Sequence, residues 1–312
     1  MNAQGPEIIA DFGDLNGEAP VWDEVSNCLY WTDCVGFRFN RFNAQSGKSE
    51  VLRSGIEVTG FALNEGGGFI IANTKGIWFW NGADTIDAIA TQVDGALCQM
   101  NDAVADPSGR FLAGSCFYAS AGNYELGCLF SVSTDGSPSI LDDGFHLANG
   151  IGFSPDTKQL YFTDSAARTI YRYDYDLQTG NANNRSVLVR VPLDEGVPDG
   201  LAVDSHGFLW SAQWYGGCVV RYDPDGAVER RIATPAKQTS SVAFGGSEWD
   251  HLFITSAAQY FPSPLSPDNF DPRSGTMGGA LYRLDVGIQG KPQFKARIKP
   301  VKQRYRSIQA RL

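Results

Sequence analysis

The sequence has no apolar run long enough to span a bilayer, and its first residues lack the basic and apolar regions of a signal peptide. Histidine is scarce, at three in 312 residues, and no two of the six cysteines have C-x-x-C spacing. These absences exclude a zinc knuckle and a thioredoxin-type redox motif. A G-x-S-x-G motif is also missing, so serine-hydrolase chemistry has no support in the sequence. We expect no membrane partner.

Acidic residues outnumber basic ones, 35 to 25, which gives a net charge of −10. This balance argues against nucleic acid as a partner. Basic residues concentrate in a C-terminal tail, about residues 299–312, which is either solvated or contacts an acidic or membrane surface. Most cysteines lie in or beside apolar segments, and we expect reduced thiols in a cytoplasmic protein, with a disulfide as the alternative. The sequence leaves both a monomer and a homodimer open.

Six similar segments recur along the chain, each an apolar strand that ends in or near Thr, Asp, Ser or Asn. They begin 40 to 49 residues apart and cover residues 29–33, 69–73, 111–115, 160–164, 208–212 and 252–256. A turn-forming cluster of Asp, Asn, Ser, Pro or Gly precedes each of them. A repeat of this length with several strands per unit is typical of a β-propeller. The sequence therefore predicts an all-β fold, a six-bladed propeller with four-stranded blades, as a single domain over residues 1–312.

Two segments compete to complete the last blade of the predicted ring. We expect residues 7–12 to supply its outer strand and so remove an exposed edge, with residues 294–298 as the alternative. The longest irregular stretch, residues 257–279, contains four prolines and interrupts the same blade between its second and third strands. It is either a lid or binding loop, or a surface excursion without a role.

Polar side chains occupy one equivalent position in all six innermost strands, four residues before the last strand residue ahead of the turn. These residues are Glu18, Thr59, Asn101, Asn149, Asp199 and Ser240. Since the innermost strands of a propeller line its tunnel, we expect the six side chains to converge near one mouth. Two carboxylates and two amide oxygens suit a hard divalent cation, although contact with tunnel water alone would also explain polar residues. The loops at that mouth carry aromatic residues, among them Trp214, Tyr215 and Phe261, which suit a small cyclic ligand.

The segments that carry these residues resemble the gluconolactonase family, which includes senescence marker protein (regucalcin). The matching motifs cover residues 17–22, 101–110, 149–156, 198–204 and 241–246, in order and about one blade apart. The resemblance implies a lactonase that opens a sugar lactone with one divalent metal ion in the tunnel mouth. It implies that Glu18, Asn149 and Asp199 are the metal ligands. The metal would polarise the lactone carbonyl while Asp199, as the catalytic base, activates water. Asn101 would contact the substrate or a water on the metal.

The chain departs from the family pattern at positions that shape substrate recognition. Regucalcin-type members carry Arg two residues before the Asn-Asp pair, where this chain has Gln99. They carry acidic residues where this chain has Phe117 and Tyr118. These changes remove charge and add apolar bulk, so we expect Asn101, Gln99, Phe117 and Tyr118 to bind a different, less polar lactone.

Other functions and several ions stay open at this point. The same set of side chains also resembles that of diisopropylfluorophosphatase-type propellers, so hydrolysis of a phosphotriester or an aryl ester is an alternative. A calcium-binding propeller without catalytic activity is another, because the fold alone does not fix the function. Oxygen ligands admit Ca²⁺, Mg²⁺, Mn²⁺ or Fe²⁺, and an open site can also accept Zn²⁺.

Overall fold

The computed structural model describes residues 5–118 and 124–299 of the chain. Within these residues it contains six antiparallel four-stranded sheets and no helix. No membrane-crossing helix is therefore found in the described part of the chain. The innermost strands of the six sheets neighbour one another in a closed ring, which confirms the predicted six-bladed β-propeller.

The first half of the chain forms one leading strand and blades one to three, together with two short hairpins. The leading strand is β1 (Glu7–Asp11). Blade one contains β2 (Gly17–Asp23), β3 (Cys28–Asp33), β4 (Arg38–Asn43) and β5 (Lys48–Ser54). Blade two contains β6 (Gly60–Leu63), β7 (Phe69–Asn73), β8 (Gly76–Trp80) and β9 (Ile86–Ala90), and a hairpin of β10 (Gln92–Val93) and β11 (Ala96–Leu97) follows it. Blade three contains β12 (Met100–Ala105), β13 (Phe111–Ser115), β16 (Gly127–Val132) and β17 (Pro138–Phe145), with a hairpin of β14 (Phe117–Tyr118) and β15 (Tyr124–Glu125) inserted in it.

The second half forms blades four to six. Blade four contains β18 (Ala148–Phe153), β19 (Gln159–Asp164), β20 (Thr169–Tyr175) and β21 (Ala182–Arg190). Blade five contains β22 (Val197–Val203), β23 (Leu209–Trp214), β24 (Cys218–Tyr222) and β25 (Val228–Ala233). Blade six contains β26 (Thr239–Gly245), β27 (His251–Ser256) and β28 (Ala280–Asp285), and β1 is its outer strand.

The N-terminal strand closes the ring as the sequence predicts. Strand β1 pairs antiparallel with β28, with Glu7 opposite Arg283 and Asp11 opposite Ala280. The first and last parts of the propeller are thus joined by backbone hydrogen bonds, which leaves no unpaired edge at the junction. The competing segment, residues 294–298, has a different position, described below. The irregular stretch 257–279 connects β27 to β28, where the sequence places it.

Aromatic side chains fill the spaces between blades. Between blades one and two, the fully buried ring of Phe39 packs edge-on against Phe61, Phe69 and Trp80, with centroid distances of 4.8 to 5.0 Å. Such edge-to-face contacts add to the large apolar area that each ring removes from water. The packing fixes the blades against one another, so side chains from different blades keep their relative positions at the tunnel. The six cysteines, all within the described residues, form no disulfide.

A β-bulge interrupts the innermost strand in five of the six blades. The register shifts lie between Glu18 and Val21 in β2, and at the corresponding point of four more strands: β12 (Met100/Asp102), β18 (Asn149/Ile151), β22 (Pro198/Leu201) and β26 (Thr239/Val242). A bulge inserts one extra residue and changes the direction of the neighbouring side chains. All five bulges lie near the start of their strands, which we call the upper end of the tunnel.

The C-terminal segment, residues 287–298, crosses the opposite, lower end of the tunnel. Gln293 accepts a hydrogen bond from the Trp22 backbone of blade one at 2.8 Å, and Ala296 forms a parallel bridge with Asn64 of blade two. Phe294 packs against Phe153 of blade four at 6.0 Å. The alternative in which residues 294–298 close blade six is therefore wrong, because these residues contact several other blades instead. The predicted basic tail, about 299–312, lies outside the described residues except for Lys299.

Candidate active site

The upper end of the tunnel opens into a cavity of about 610 Å³. Five of the six ring positions predicted from the sequence line it: Glu18, Thr59, Asn101, Asn149 and Asp199. They come from five different blades and reach one space because each lies at the start of its innermost strand, next to or within a bulge in four of the five. The sixth position does not follow this pattern. Ser240 is fully buried and directs its hydroxyl to the Gly17 carbonyl and the Thr255 hydroxyl, so the expectation that it joins the ring is wrong.

Two asparagines from neighbouring blades form a hydrogen-bonded pair at the base of the cavity. The Asn101 amide donates to Oδ1 of Asn149 at 2.7 Å and to the Ala148 carbonyl at 2.8 Å. The Asn149 amide donates to the Ser165 hydroxyl at 2.8 Å, and that hydroxyl donates to the Pro198 carbonyl at 2.6 Å. Because both amide nitrogens are used in this way, the orientation of both side chains is fixed.

Glycines follow two of the predicted metal ligands and have a steric reason to be there. A Cβ on Gly150, after Asn149, would lie 2.6 Å from the Asp199 carbonyl oxygen. A Cβ on Gly200, after Asp199, would lie 2.1 Å from the hydroxyl oxygen of Ser241. The innermost strands approach too closely at the upper end for any side chain at these two positions. The Asn-Gly and Asp-Gly pairs in the sequence therefore result from the tight packing that brings the ligands together.

Three carboxyl groups share the cavity region and disfavour one another's charge. Burial raises the pKa of Glu18 well above its usual range, and the carboxylates of Asp199 and Asp102 raise it further. Burial likewise raises the pKa of Asp199, with Asp102 adding to the effect. Burial raises the pKa of Asp102 to about 7. None of the residues that line the cavity, among those the structure describes, is Lys, Arg or His. The negative charge is therefore uncompensated by protein.

This arrangement fits a divalent cation. Glu18, Asn149 and Asp199 offer only oxygen ligands, which hard cations prefer, and the uncompensated carboxylates gain from a nearby positive charge. Among the described residues, no group of three or more His, Cys, Asp or Glu has the spacing of a metal site. A site here would therefore combine two carboxylates with amide oxygen, and would not be of the His/Cys type that structural zinc prefers.

The residues predicted to bind substrate divide into two groups. Asn101 and Tyr118 line the cavity, and Tyr118 is 60% exposed at its rim. Gln99 and Phe117 are not among the lining residues. The Gln99 side chain donates to the Cys116 carbonyl at 3.0 Å, and Phe117 lies over Gly127, where an added Cβ would be 3.3 Å from its ring. Gln99 thus contacts the lining residue Cys116 and Phe117 lies beside Gly127, while neither lines the cavity itself.

The irregular stretch 257–279 forms one side of the cavity. Phe261, Pro262, Ser263 and Leu265 line it together with Trp214, the last residue of β23 in blade five, and Tyr215, which follows it. The Tyr215 hydroxyl donates to the Phe261 carbonyl at 2.6 Å, and the rings of Trp214 and Phe261 lie 6.2 Å apart. Of the two alternatives left open by the sequence, the binding loop is the one that this position favours.

Several cavity residues gave no signal in the sequence repeat. Ser165 orients Asn149, and its only mark is its position directly after a second strand. Asn16 and Glu57 line the cavity from loops that enter blades one and two. Arg168 lies behind the cavity and contacts the irregular stretch through the Leu265 carbonyl at 3.1 Å. Such positions depend on the paths of loops, which the spacing of strands does not predict.

Comparison with known proteins gives a consistent result. The family model described as SMP-30/Gluconolactonase/LRE-like region matches residues 16–258. Pentonolactonase XacC of Haloferax volcanii is 35% identical over 283 residues, which cover 91% of this chain and 95% of that protein. A protein of Pseudomonas putida named 6-deoxy-6-sulfogluconolactonase is 35% identical over 78% of this chain and 84% of its own length. A solved structure of luciferin-regenerating enzyme superposes with a TM-score of 0.83 at 27% identity, covering 94% of this chain and 100% of that one.

Proposed function

We propose a function from the premise that the chain belongs to the SMP-30/gluconolactonase/LRE-like family. The proposed function is that of a lactonase, a hydrolase that opens a sugar lactone to the corresponding acid. One observation carries the proposal. Glu18, Asn149 and Asp199, from three different blades, meet at the base of a cavity large enough for a small cyclic ligand. Two relatives with 35% identity over most of the chain are named as lactonases, which supports the same reaction class.

The proposed metal ligands are Glu18, Asn149 and Asp199. A divalent ion held by them would polarise the lactone carbonyl and stabilise the negative charge that develops on its oxygen. The candidate ions are calcium, magnesium, manganese, iron(II) and zinc, and titration of each into chelator-stripped protein distinguishes them. The same proposal includes a small-molecule substrate, a cytoplasmic location consistent with six unpaired cysteines, and either a monomer or a homodimer.

Asp199 is the proposed catalytic base. Its carboxylate is 5% exposed and faces a cavity that contains no competing histidine or lysine among the described lining residues. A carboxylate in this position can accept a proton from the water that attacks the lactone carbonyl, and can return it to the ring oxygen as the ester bond breaks. Asn101 would orient the lactone by its amide oxygen, since its nitrogen donates to Ala148 and Asn149, and Asn149, fixed by Ser165, would keep the base of the cavity rigid.

A hydrolysis assay that monitors the release of acid tests this proposal. The assay uses a panel of aldonolactones together with an aryl ester and a phosphotriester. We expect lactones to be the best substrates, and Asp199→Asn to lower kcat by about 10²–10⁴-fold, the usual contribution of a general base. Asp225→Asn is the matched control, because Asp225 lies in an exposed turn at the lower end and should leave kcat unchanged. Wild-type turnover by folded Asp199→Asn would contradict the assigned role, and a preference for the phosphotriester would contradict the reaction class.

A further inference from the structure

The cavity has two chemically different sides. Its base and one flank carry oxygen-bearing side chains, including Glu57 and Thr74, whose hydroxyl donates to the Glu57 carboxylate at 2.7 Å. The other flank includes Trp214, Tyr215, Phe261 and Leu265, which we call the aromatic wall, together with Pro262 and Ser263. A ligand that fits both sides needs a polar ring and an apolar end.

The aromatic wall offers mainly apolar surface, because the polar groups of its side chains are already engaged, with the Trp214 indole hydrogen-bonded to Tyr215. The Tyr215 hydroxyl donates to the Phe261 carbonyl at 2.6 Å. Next to the wall, the Tyr124 hydroxyl is hydrogen-bonded to Ser263. A ligand hydroxyl placed against this flank would lose water and find few partners, which is unfavourable.

The wall is held in place from behind by a buried arginine. The guanidinium of Arg168, which is 7% exposed, donates to the Leu265 carbonyl at 3.1 Å and to the carbonyls of Pro192, Glu195 and Gly196 at 2.6 to 2.9 Å. Arg168 thereby joins the irregular stretch to the loop that leads into Asp199. Arg168 therefore anchors the wall at Leu265. Its guanidinium is engaged with backbone oxygens and is not directed to a ligand.

Among the described lining residues, no side chain could neutralise an anionic substituent away from the proposed ion. None of them is Lys, Arg or His, and Glu57, which is not one of the proposed ion ligands, is acidic. A phosphate or sulfonate placed away from the proposed ion would have to lose water beside Glu57 or the aromatic wall, with no cationic side chain among the described lining residues to pair with it. An unpaired anion next to a like charge binds more weakly.

We infer that the site selects uncharged sugar lactones with an apolar end, such as a 6-deoxyhexonolactone, and excludes lactones that carry a phosphate or sulfonate. The lactone ring lies on the oxygen-rich base and the apolar end lies against the aromatic wall. This inference rests on the proposed lactonase function and specifies its substrate class.

Wild-type kinetics on two matched pairs of lactones test the inference directly. The first pair is a 6-deoxyhexonolactone and its 6-hydroxy parent; the second is gluconolactone and 6-phosphogluconolactone. We expect kcat/KM to be about fourfold or more higher for the 6-deoxy compound, as for the burial of about one CH₂ group. We expect at least about 100-fold discrimination against the phosphorylated compound. Equal or better turnover of the phosphorylated or the 6-hydroxy compound would overturn the inference while leaving the lactonase function intact. Failure on all four lactones would overturn both.

A charge placed in the wall sharpens the test. Leu265→Arg should raise kcat/KM for 6-phosphogluconolactone about tenfold or more and lower it for the 6-deoxy compound. Leu97→Arg is the matched control, because Leu97 is 59% exposed and does not line the cavity. It should change neither value. An equal gain in both variants would mean that long-range charge, and not the wall, controls the selection, and would overturn the role of the wall.

Discussion

The two ends of the tunnel are built from the same six strands and have opposite properties. At the upper end the strands begin with polar residues and bulges around a cavity of about 610 Å³. At the lower end the same strands finish with apolar residues such as Val104, Phe153 and Phe244, which line a small cavity of about 50 Å³ together with residues 291–294. The comparison shows that one end holds groups that destabilise each other, while the other end gathers contacts that hold the blades together.

One C-terminal segment without regular secondary structure helps to hold the lower end together. Residues 287–298 bond to the backbone of several blades, including Trp22, Leu63 and Gly109. Lys295 forms an ion pair with Asp23 at 2.9 Å. Because this segment closes the lower mouth, a ligand has access to the proposed ion site from the upper mouth. Because the upper end carries the proposed site and the lower end carries stabilising contacts, we predict that activity and stability can be changed separately.

The largest expected effect is on activity at the upper end. Glu18→Gln removes one proposed ion ligand and should lower kcat/KM by about 10²-fold or more, since an ion in this role contributes several kcal/mol. The same change removes a carboxyl group whose pKa is raised by burial and by Asp199, so the metal-free protein should melt about 2 °C higher. Turnover in the assay above and thermal melting of the chelated protein check both parts. A loss of both activity and stability would contradict the contrast between the ends.

The next effect is on stability at the lower end. Phe294→Ala removes a ring that packs against Phe153 and should lower the free energy of unfolding by about 2 kcal/mol, less than for a fully buried ring. Denaturant titration measures the change, while kcat/KM should stay within about twofold of wild type. A large fall in kcat/KM without a change in stability would show that the lower end takes part in the reaction.

A smaller effect is expected from the arginine behind the aromatic wall. Arg168→Lys keeps a positive charge but cannot reach all the carbonyls that the guanidinium contacts. If Arg168 positions the wall, KM should rise about threefold to tenfold for a 6-deoxy lactone, with kcat nearly unchanged. The measurement is steady-state kinetics alongside a thermal melt. Lower stability with an unchanged KM would assign Arg168 a purely structural role.

The smallest predicted effect is a change in the pH dependence of stability. Burial raises the pKa of Asp14 from 3.8 to about 6, with Asp33 adding to the rise and the Trp31 and Arg38 contacts opposing it. The folded protein therefore binds a proton more tightly than the unfolded chain, so this group's contribution to stability is lost as pH rises from about 4 to 6. Asp14→Asn should flatten the dependence of unfolding free energy on pH in that window by on the order of 1 kcal/mol. An unchanged or steeper fall in stability over this window in the variant would contradict the assignment.

The sequence predicts the propeller well because its repeat reflects the core. The predicted second strand at residues 69–73 coincides with β7, and the segment at 111–115 coincides with β13. The same repeat brings Glu18 and Asp199 to one cavity, since equivalent positions in a closed ring must converge. Ser240 departs because its short side chain bonds to the Gly17 carbonyl and cannot reach inward. That contact depends on packing between blades, which a repeat within one strand does not record.

Other features were not predictable from strand spacing. The contact between Arg168 and Leu265 joins residues 97 positions apart through an irregular stretch. The path of residues 294–298 across the lower end depends on side-chain partners such as Asn64, whose Oδ1 accepts a hydrogen bond from the Ile298 backbone. No sequence pattern marks Asn64 as such a partner. The resemblance predicts Gln99 and Phe117 as substrate contacts at single positions, and neither is among the residues that line the cavity. Loops and single positions thus carry less structural information than the repeated strands.

The central claim, that Glu18, Asn149 and Asp199 together hold an ion needed to open a lactone, is tested most directly by titrating divalent ions into chelator-stripped protein. Ion binding and lactone turnover are measured on the same sample. We predict that one ion binds per chain, that turnover returns in proportion to it, and that Glu18→Gln weakens binding and turnover together. Full turnover by stripped protein, or tight binding of an ion that Glu18→Gln and Asp199→Asn leave unaffected, would contradict it.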